Sequence, residues 1–171
     1  ARVGAKRADI IIVSKCQPTL SKAEMTVIEG KIRQYSLPES PIFFSYIRYA
    51  KPQAVWGEAI LPENAEVILV TGIAQPEPLK KYVSEHFKLL QHIQLPDHAD
   101  YTEARVAEIK SAVSQSPNAV VLTTEKDAVK LKYKSEAEYL PVFEIKIEVA
   151  FLEKQPLLES LIENHINDFR Q

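Results

Sequence analysis

Val121-Leu-Thr-Thr-Glu-Lys-Asp-Ala-Val-Lys-Leu131 begins as an apolar run, breaks into a polar cluster, and resumes with Ala128, Val129 and Leu131 at helical spacing. Leu95-Pro-Asp-His-Ala-Asp-Tyr101 repeats that order: the end of a strand, a short polar break, then a helix. Strands that alternate with helices in this way predict a three-layer α/β domain with a mainly parallel sheet flanked by helices. In such sheets ligands bind at the carboxyl ends of strands, so the two polar clusters are where chemistry is expected.

The stretches around them fit the same pattern. Ile10-Ile-Ile-Val-Ser14, Val67-Ile-Leu-Val-Thr71 and Ala119-Val-Val-Leu-Thr123 are short, apolar and rich in β-branched residues, as strands buried on both faces are. Ile42-Phe-Phe-Ser-Tyr46 and Leu89–Leu95 are further strand candidates. Ser21 and Glu24 have capping-box spacing ahead of Met25, Ile28, Ile32 and Tyr35, which share a helix face. Pro76 is expected to open a helix lined by Leu79, Val83 and His86. Asp100 with Glu103 is expected to cap a helix carrying Val106, Ile109 and Val113. Around residues 47–62 the pattern weakens into a β-ribbon or long connection, with Trp56 read as a packing anchor. Pro141 to Val149 alternates, which predicts an edge strand with one wet face. Pro156 opens an amphipathic helix with Leu158, Leu161, Ile162, His165, Ile166 and Phe169 on its buried stripe. The whole reads as one Rossmann-like lobe over residues 1–171.

With 171 residues the chain is long enough to bury a real core. Its formal charge of -2 gives no broad electrostatic case for nucleic acid. The local basic groups Arg2/Lys6/Arg7 and Lys126/Lys130/Lys132/Lys134 suit solvated faces. A single cysteine, Cys16, excludes an internal disulfide and a cysteine zinc cage, and fits a reducing cytoplasm. No apolar run approaches the roughly 20 residues of a membrane-spanning helix, and no secretory signal is recognisable. The chain opens on Ala1 rather than Met, as a natural domain after processing or a fragment of a longer protein would.

Two sets of residues carry candidate chemistry. His98, just past a strand end, has the residue type of a general base or of a group that orients one, and equally suits a loop histidine with no task. Asp97 would be poorly placed as its partner in an extended segment, where neighbouring side chains point opposite ways. Thr124-Glu125-Lys126-Asp127 can hold an anion at a helix N-terminus, but its two carboxylates oppose an anion and favour a plain cap. No Gly-x-x-x-x-Gly-Lys-[Ser/Thr] phosphate loop, Gly-x-Gly-x-x-Gly or Gly-x-Ser-x-Gly is present, and the histidines show no metal-ligand spacing.

Arg7-Ala-Asp-Ile-Ile-Ile-Val-Ser-Lys-Cys16, Leu69-Val-Thr-Gly-Ile-Ala-Gln-Pro76, Pro96-Asp-His98 and Leu122-Thr-Thr-Glu-Lys-Asp-Ala-Val-Lys-Leu131 together resemble the tetraacyldisaccharide 4'-kinase family, the lipid A 4'-kinases of Gram-negative bacteria. The resemblance implies a C-terminal α/β lobe of an enzyme that moves the γ-phosphate of ATP to the 4'-hydroxyl of a tetraacylated glucosamine disaccharide 1-phosphate. It places that enzyme peripherally at the cytoplasmic face of the inner membrane. The phosphate loop, the Mg2+ ligands and the membrane-contacting region are expected in an N-terminal lobe, so this chain alone is expected to fold without catalysing. Carried over, His98 matches the family's Asp-His histidine, which works with an aspartate of the other lobe to activate the accepting hydroxyl, and Asp97 fixes its loop. Ala99 stands where a second histidine is frequent. Thr124, Glu125, Lys126 and Asp127 match a Thr-Glu-Lys-Asp block expected to shape the cleft or hold nucleotide. The alternative is a stand-alone, non-catalytic module that binds a nucleotide or a protein.

Overall fold

The structure, a computed structural model, describes residues 2–168. It divides into two compact units: the chain before Tyr49 together with the chain after Ile147 forms one, and Tyr49–Ile147 forms the other.

The first unit begins with α1 (Arg2–Ala5), β1 (Ile11–Val13), α2 (Lys22–Arg33) and β2 (Ile42–Tyr49). Ser21 caps α2 as its spacing predicts. Its Oγ accepts from the Glu24 N–H at 3.3 Å, and Glu24 Oε2 accepts from the Ser21 N–H at 2.8 Å. Two N–H groups that a first helical turn leaves without partners are thereby satisfied. β1 and β2 pair in parallel, Ile11 opposite Ile42. Met25, Ile42 and Phe44 form the buried centre, against Ile28 and Ile32 of α2.

The second unit contains β3 (Gln53–Ala54), β4 (Glu66–Thr71), α3 (Glu77–His86), β5 (Lys88–Gln94), α4 (Glu103–Gln115), β6 (Val120–Thr124), α5 (Glu125–Lys132) and β7 (Val142–Ile145). The strands form one sheet in the order β3-β7-β6-β4-β5, parallel throughout except for β3. Side chains alternate across each strand, so the sheet buries two separate faces. Ile68, Val70, Ile93, Val121 and Val142 pack with Val106 and Ile109 of α4 and Ala128 and Leu131 of α5. Val67, Leu69, Leu122, Phe143 and Ile145 pack with Leu79 and Val83 of α3 on the opposite face. The unit therefore has the helix, parallel sheet and helix layering that the sequence predicts, with Trp56 packed on the α4/α5 side.

The chain then returns to the first unit as β8 (Ile147–Phe151), beside β2 in a three-stranded sheet β1-β2-β8, and α6 (Gln155–Asp168). The run from Pro141 to Val149 is thus not one edge strand. It breaks at Lys146: β7 is an inner strand whose outer edge is covered by β3, with Val142, Phe143 and Ile145 buried, and only β8 lies at a sheet edge. Around 47–62, β2 runs on to Tyr49, β3 pairs with β7, and the rest is connection. Thr102, not Asp100, is the N-cap of α4, and Asp100 instead offers its carbonyl to the Arg105 guanidinium. His86 is exposed and stacks on Tyr82 rather than lining the core. On α6, Leu158 is buried and Leu161 half-buried, while Ile162, His165 and Ile166 are exposed; Phe169 lies outside the described residues.

Candidate active site at the carboxyl ends of the parallel strands

β6, β4 and β5 lie side by side, and their carboxyl ends lead into Glu125, Gly72 and Leu95 respectively. The loop after β5 and the first turn of α5 meet across the end of β4. Lys126 Nζ donates to Asp97 Oδ1 at 3.1 Å, and Lys130 Nζ, one turn further on, donates to the Ala99 carbonyl at 2.7 Å. The two polar clusters that the sequence singles out therefore form a single site.

Asp97 and His98 are closer than extended geometry would allow. His98 has φ +58°, in the left-handed region that a histidine visits more readily than most residues. That turn brings the His98 N–H to 3.0 Å from Asp97 Oδ1 and the ring Nε2 to 3.6 Å from Oδ2. The expectation that adjacent side chains diverge is thus corrected, because the segment is a turn rather than an extended strand. Lys126's hydrogen bond, helped by the charge and N–H of His98, holds the Asp97 carboxyl below its ordinary value. At 3.6 Å the ring stands within ion-pair distance of Oδ2 when it carries a proton, beyond hydrogen-bond reach, and the His98 side chain is 79% exposed, so a substrate hydroxyl can reach it.

Thr124 and Asp127 lie on the inner side of this surface. Thr124 is 2% exposed and Asp127 0%, so of the block's two proposed roles their side chains suit shaping the cleft. Thr124 Oγ1 accepts from the Asp127 N–H at 3.2 Å and donates to Asp127 Oδ2 at 2.8 Å. The same Oδ2 accepts from the Gly72 N–H at 2.8 Å, in a contact that spans 55 residues of sequence. The spacing of a cap is there, but the carboxylate turns inward to a neighbouring strand end. Glu125 and Lys126 remain exposed on the outer surface, with Glu125 Oε1 3.3 Å from Lys146 Nζ.

From the sequence Gly72 would let the backbone approach a ligand or turn tightly, while Tyr101 has no assigned role. A Cβ at Gly72 would come within 2.9 Å of Asp127 Oδ1 and 3.5 Å of the Pro96 carbonyl, so only glycine admits the carboxylate here. The close approach that a glycine after β4 permits is to a side chain of the same unit. Tyr101 is 1% exposed, its hydroxyl beside Thr123 and Asp127. Burial, followed by the charge of Asp127, pushes its phenol above the ordinary value. On the α3 side of the site, Thr71 Oγ1 lies 2.9 Å from His92 Nε2.

Among the described residues no three His, Cys, Asp or Glu side chains gather as they would to hold a metal ion. No helix among them is long and apolar enough to cross a membrane.

Comparison with known proteins gives a consistent result. The tetraacyldisaccharide-1-P 4'-kinase family model matches residues 1–167. A tetraacyldisaccharide 4'-kinase of Parabacteroides distasonis is 30% identical over 96% of this chain and 47% of its own length. Its counterpart from Phocaeicola vulgatus is 29% identical over 97% of this chain and 47% of its own. The crystal structure of the "apo" form of LpxK from Aquifex aeolicus in complex with ATP aligns with a TM-score of 0.52 at 17% identity, over 91% of this chain and 51% of that one, which shows a shared fold. The chain spans about half the length of the curated relatives it matches. With the match running over nearly all of its residues, the chain belongs to the tetraacyldisaccharide-1-P 4'-kinase family.

Proposed function

We propose that this chain is the C-terminal lobe of an enzyme that transfers the γ-phosphate of ATP to the 4'-hydroxyl of a tetraacylated glucosamine disaccharide 1-phosphate, in lipid A biosynthesis. The observation that carries the reading is the joining of Asp97-His98 to Lys126 at the carboxyl ends of adjacent parallel strands, in a chain of this family. His98 acts in proton transfer from the accepting hydroxyl, as its exposed ring and its ionised neighbour Asp97 support. Lys126 and Glu125 are the two residues of the block that face outward, and they border the nucleotide. The phosphate cradle and the magnesium ligands belong to an N-terminal lobe, which closes with this one over ATP and excludes water. The whole enzyme works peripherally at the cytoplasmic face of the inner membrane, where its lipid substrate lies.

The test is His98→Ala in the full-length protein, assayed for 4'-phosphorylation with a circular-dichroism check of folding. Turnover is expected to fall by about 100-fold or more, the usual contribution of a positioned acid or base. A folded variant with near-normal turnover removes His98 from the mechanism.

A further inference from the structure

A fully buried carboxylate that no substrate can reach needs a reason to be there. Asp127 has no exposed surface, and its two oxygens face three different segments. Oδ2 accepts from the Gly72 N–H at the end of β4 and from the Thr124 hydroxyl at the end of β6. Oδ1 lies against the Cα of Gly72 and has no hydrogen-bond partner among the described residues, and the buried Tyr101 hydroxyl has none either. The two groups are neighbours, one an acceptor and the other a donor. Leaving both unpaired in the interior is costly, and the neighbouring donor and acceptor are the natural partners for one another.

These contacts bracket the loop that carries His98. Gly72 packs under the carbonyl of Pro96, the residue just before Asp97, and Tyr101 ends the same loop three residues after His98. We infer that Asp127 is a positioning residue of the reaction: through Gly72 at one end and the Tyr101 hydroxyl at the other it fixes the 96–101 loop against β4 and β6, and so sets where the His98 ring stands. This rests on the proposed role of His98. Misplacing a reacting group by about 1 Å can cost on the order of 100-fold in rate, so a buried anchor at this point has leverage on turnover that its distance from the substrate conceals.

The experiment uses the full-length protein, with Tyr101→Phe and Asp127→Asn measured beside His98→Ala. Tyr101→Phe removes one oxygen and keeps the ring, so it preserves the core even where Asp127→Asn lowers the folded yield. Turnover per folded molecule is expected to drop about tenfold or more in Asp127→Asn and severalfold in Tyr101→Phe, with KM for ATP within about twofold of wild type. Gly72→Ala combined with Asp127→Ala should cost less than the sum of the two single changes, since the added methyl collides with the carboxylate itself. If His98→Ala is inactive while Tyr101→Phe and Asp127→Asn turn over at the wild-type rate per folded molecule, with only their melting temperatures lowered, Asp127 is merely structural and the inference falls. If His98→Ala itself turns over normally, the proposed role of His98 falls and the inference falls with it.

Discussion

Lys126 donates to Asp97 at 3.1 Å across 29 residues of sequence, and with the Lys130–Ala99 contact it joins the loop after β5 to the helix after β6. Both side chains are more than a third exposed, so solvent screens the pair and it adds little to stability. Its larger effect is on Asp97. Lys126→Ala is expected to leave the melting temperature nearly unchanged and to raise the Asp97 pKa toward its ordinary value of 3.8, read from its carboxyl carbon resonance during an acid titration. An unmoved midpoint would mean that the two loops are not electrostatically linked in solution.

The reciprocal Ser21–Glu24 cap should contribute to the first unit alone. Ser21→Ala is expected to cost about 1 kcal/mol, and Ser21→Gly only a few tenths. Denaturant melts followed by hydrogen exchange in α2 and in β4 would separate the two units; equal loss of protection in both would show that the cap acts on the whole chain.

His92 gives the stability a pH dependence whose sign is fixed. Burial, together with the nearby Lys80, lowers its pKa below the ordinary 6.5. Between that lowered value and 6.5 the unfolded chain binds more protons than the folded one, so stability rises with pH and is lost as pH falls through this window. His92→Gln keeps a polar group near the Thr71 hydroxyl and should flatten the slope of urea stability between about pH 7.5 and about pH 5.5. A variant that keeps the wild-type slope would assign the dependence to another group.

Leu122, on β6, is fully buried on the α3 face of the sheet. Leu122→Ala removes volume from a site walled by neighbouring strands that cannot collapse far, and should destabilise the second unit by about 2–5 kcal/mol. A loss under about 1 kcal/mol in an equilibrium melt would contradict the packing described for that face.

What could be read from the sequence is what local spacing decides. Ser21 and Glu24 are three residues apart and make the cap that their spacing predicts. The all-apolar runs of β4 and β6 announce strands buried on both faces, and both lie inside the sheet with a neighbour on each side. The meeting of Asp97 with Lys126 was not legible, because it depends on β4 lying between β5 and β6, and strand order leaves no mark in the pattern of either loop. The long-range partner of Asp127 was hidden for a related reason. Three residues after Thr124 a carboxylate normally serves its own helix in water, whereas here its second partner is a backbone N–H 55 residues away. Nor does the alternation from Pro141 to Val149 reveal the break at Lys146, since a strand of either sheet alternates in the same way.

The division of the chain also sets an order of events during synthesis. Tyr49–Ile147 is one unbroken stretch, and each strand of its sheet lies within it, so it can close both faces as soon as β7 leaves the ribosome. The other unit, though its first residues are made earliest, must wait for β8 to arrive beside β2. The part carrying His98 and Asp127 is thus able to finish folding first, and until β8 emerges the apolar side chains of β2 stand without the last strand of their sheet, the interval in which a nascent chain is most exposed to aggregation.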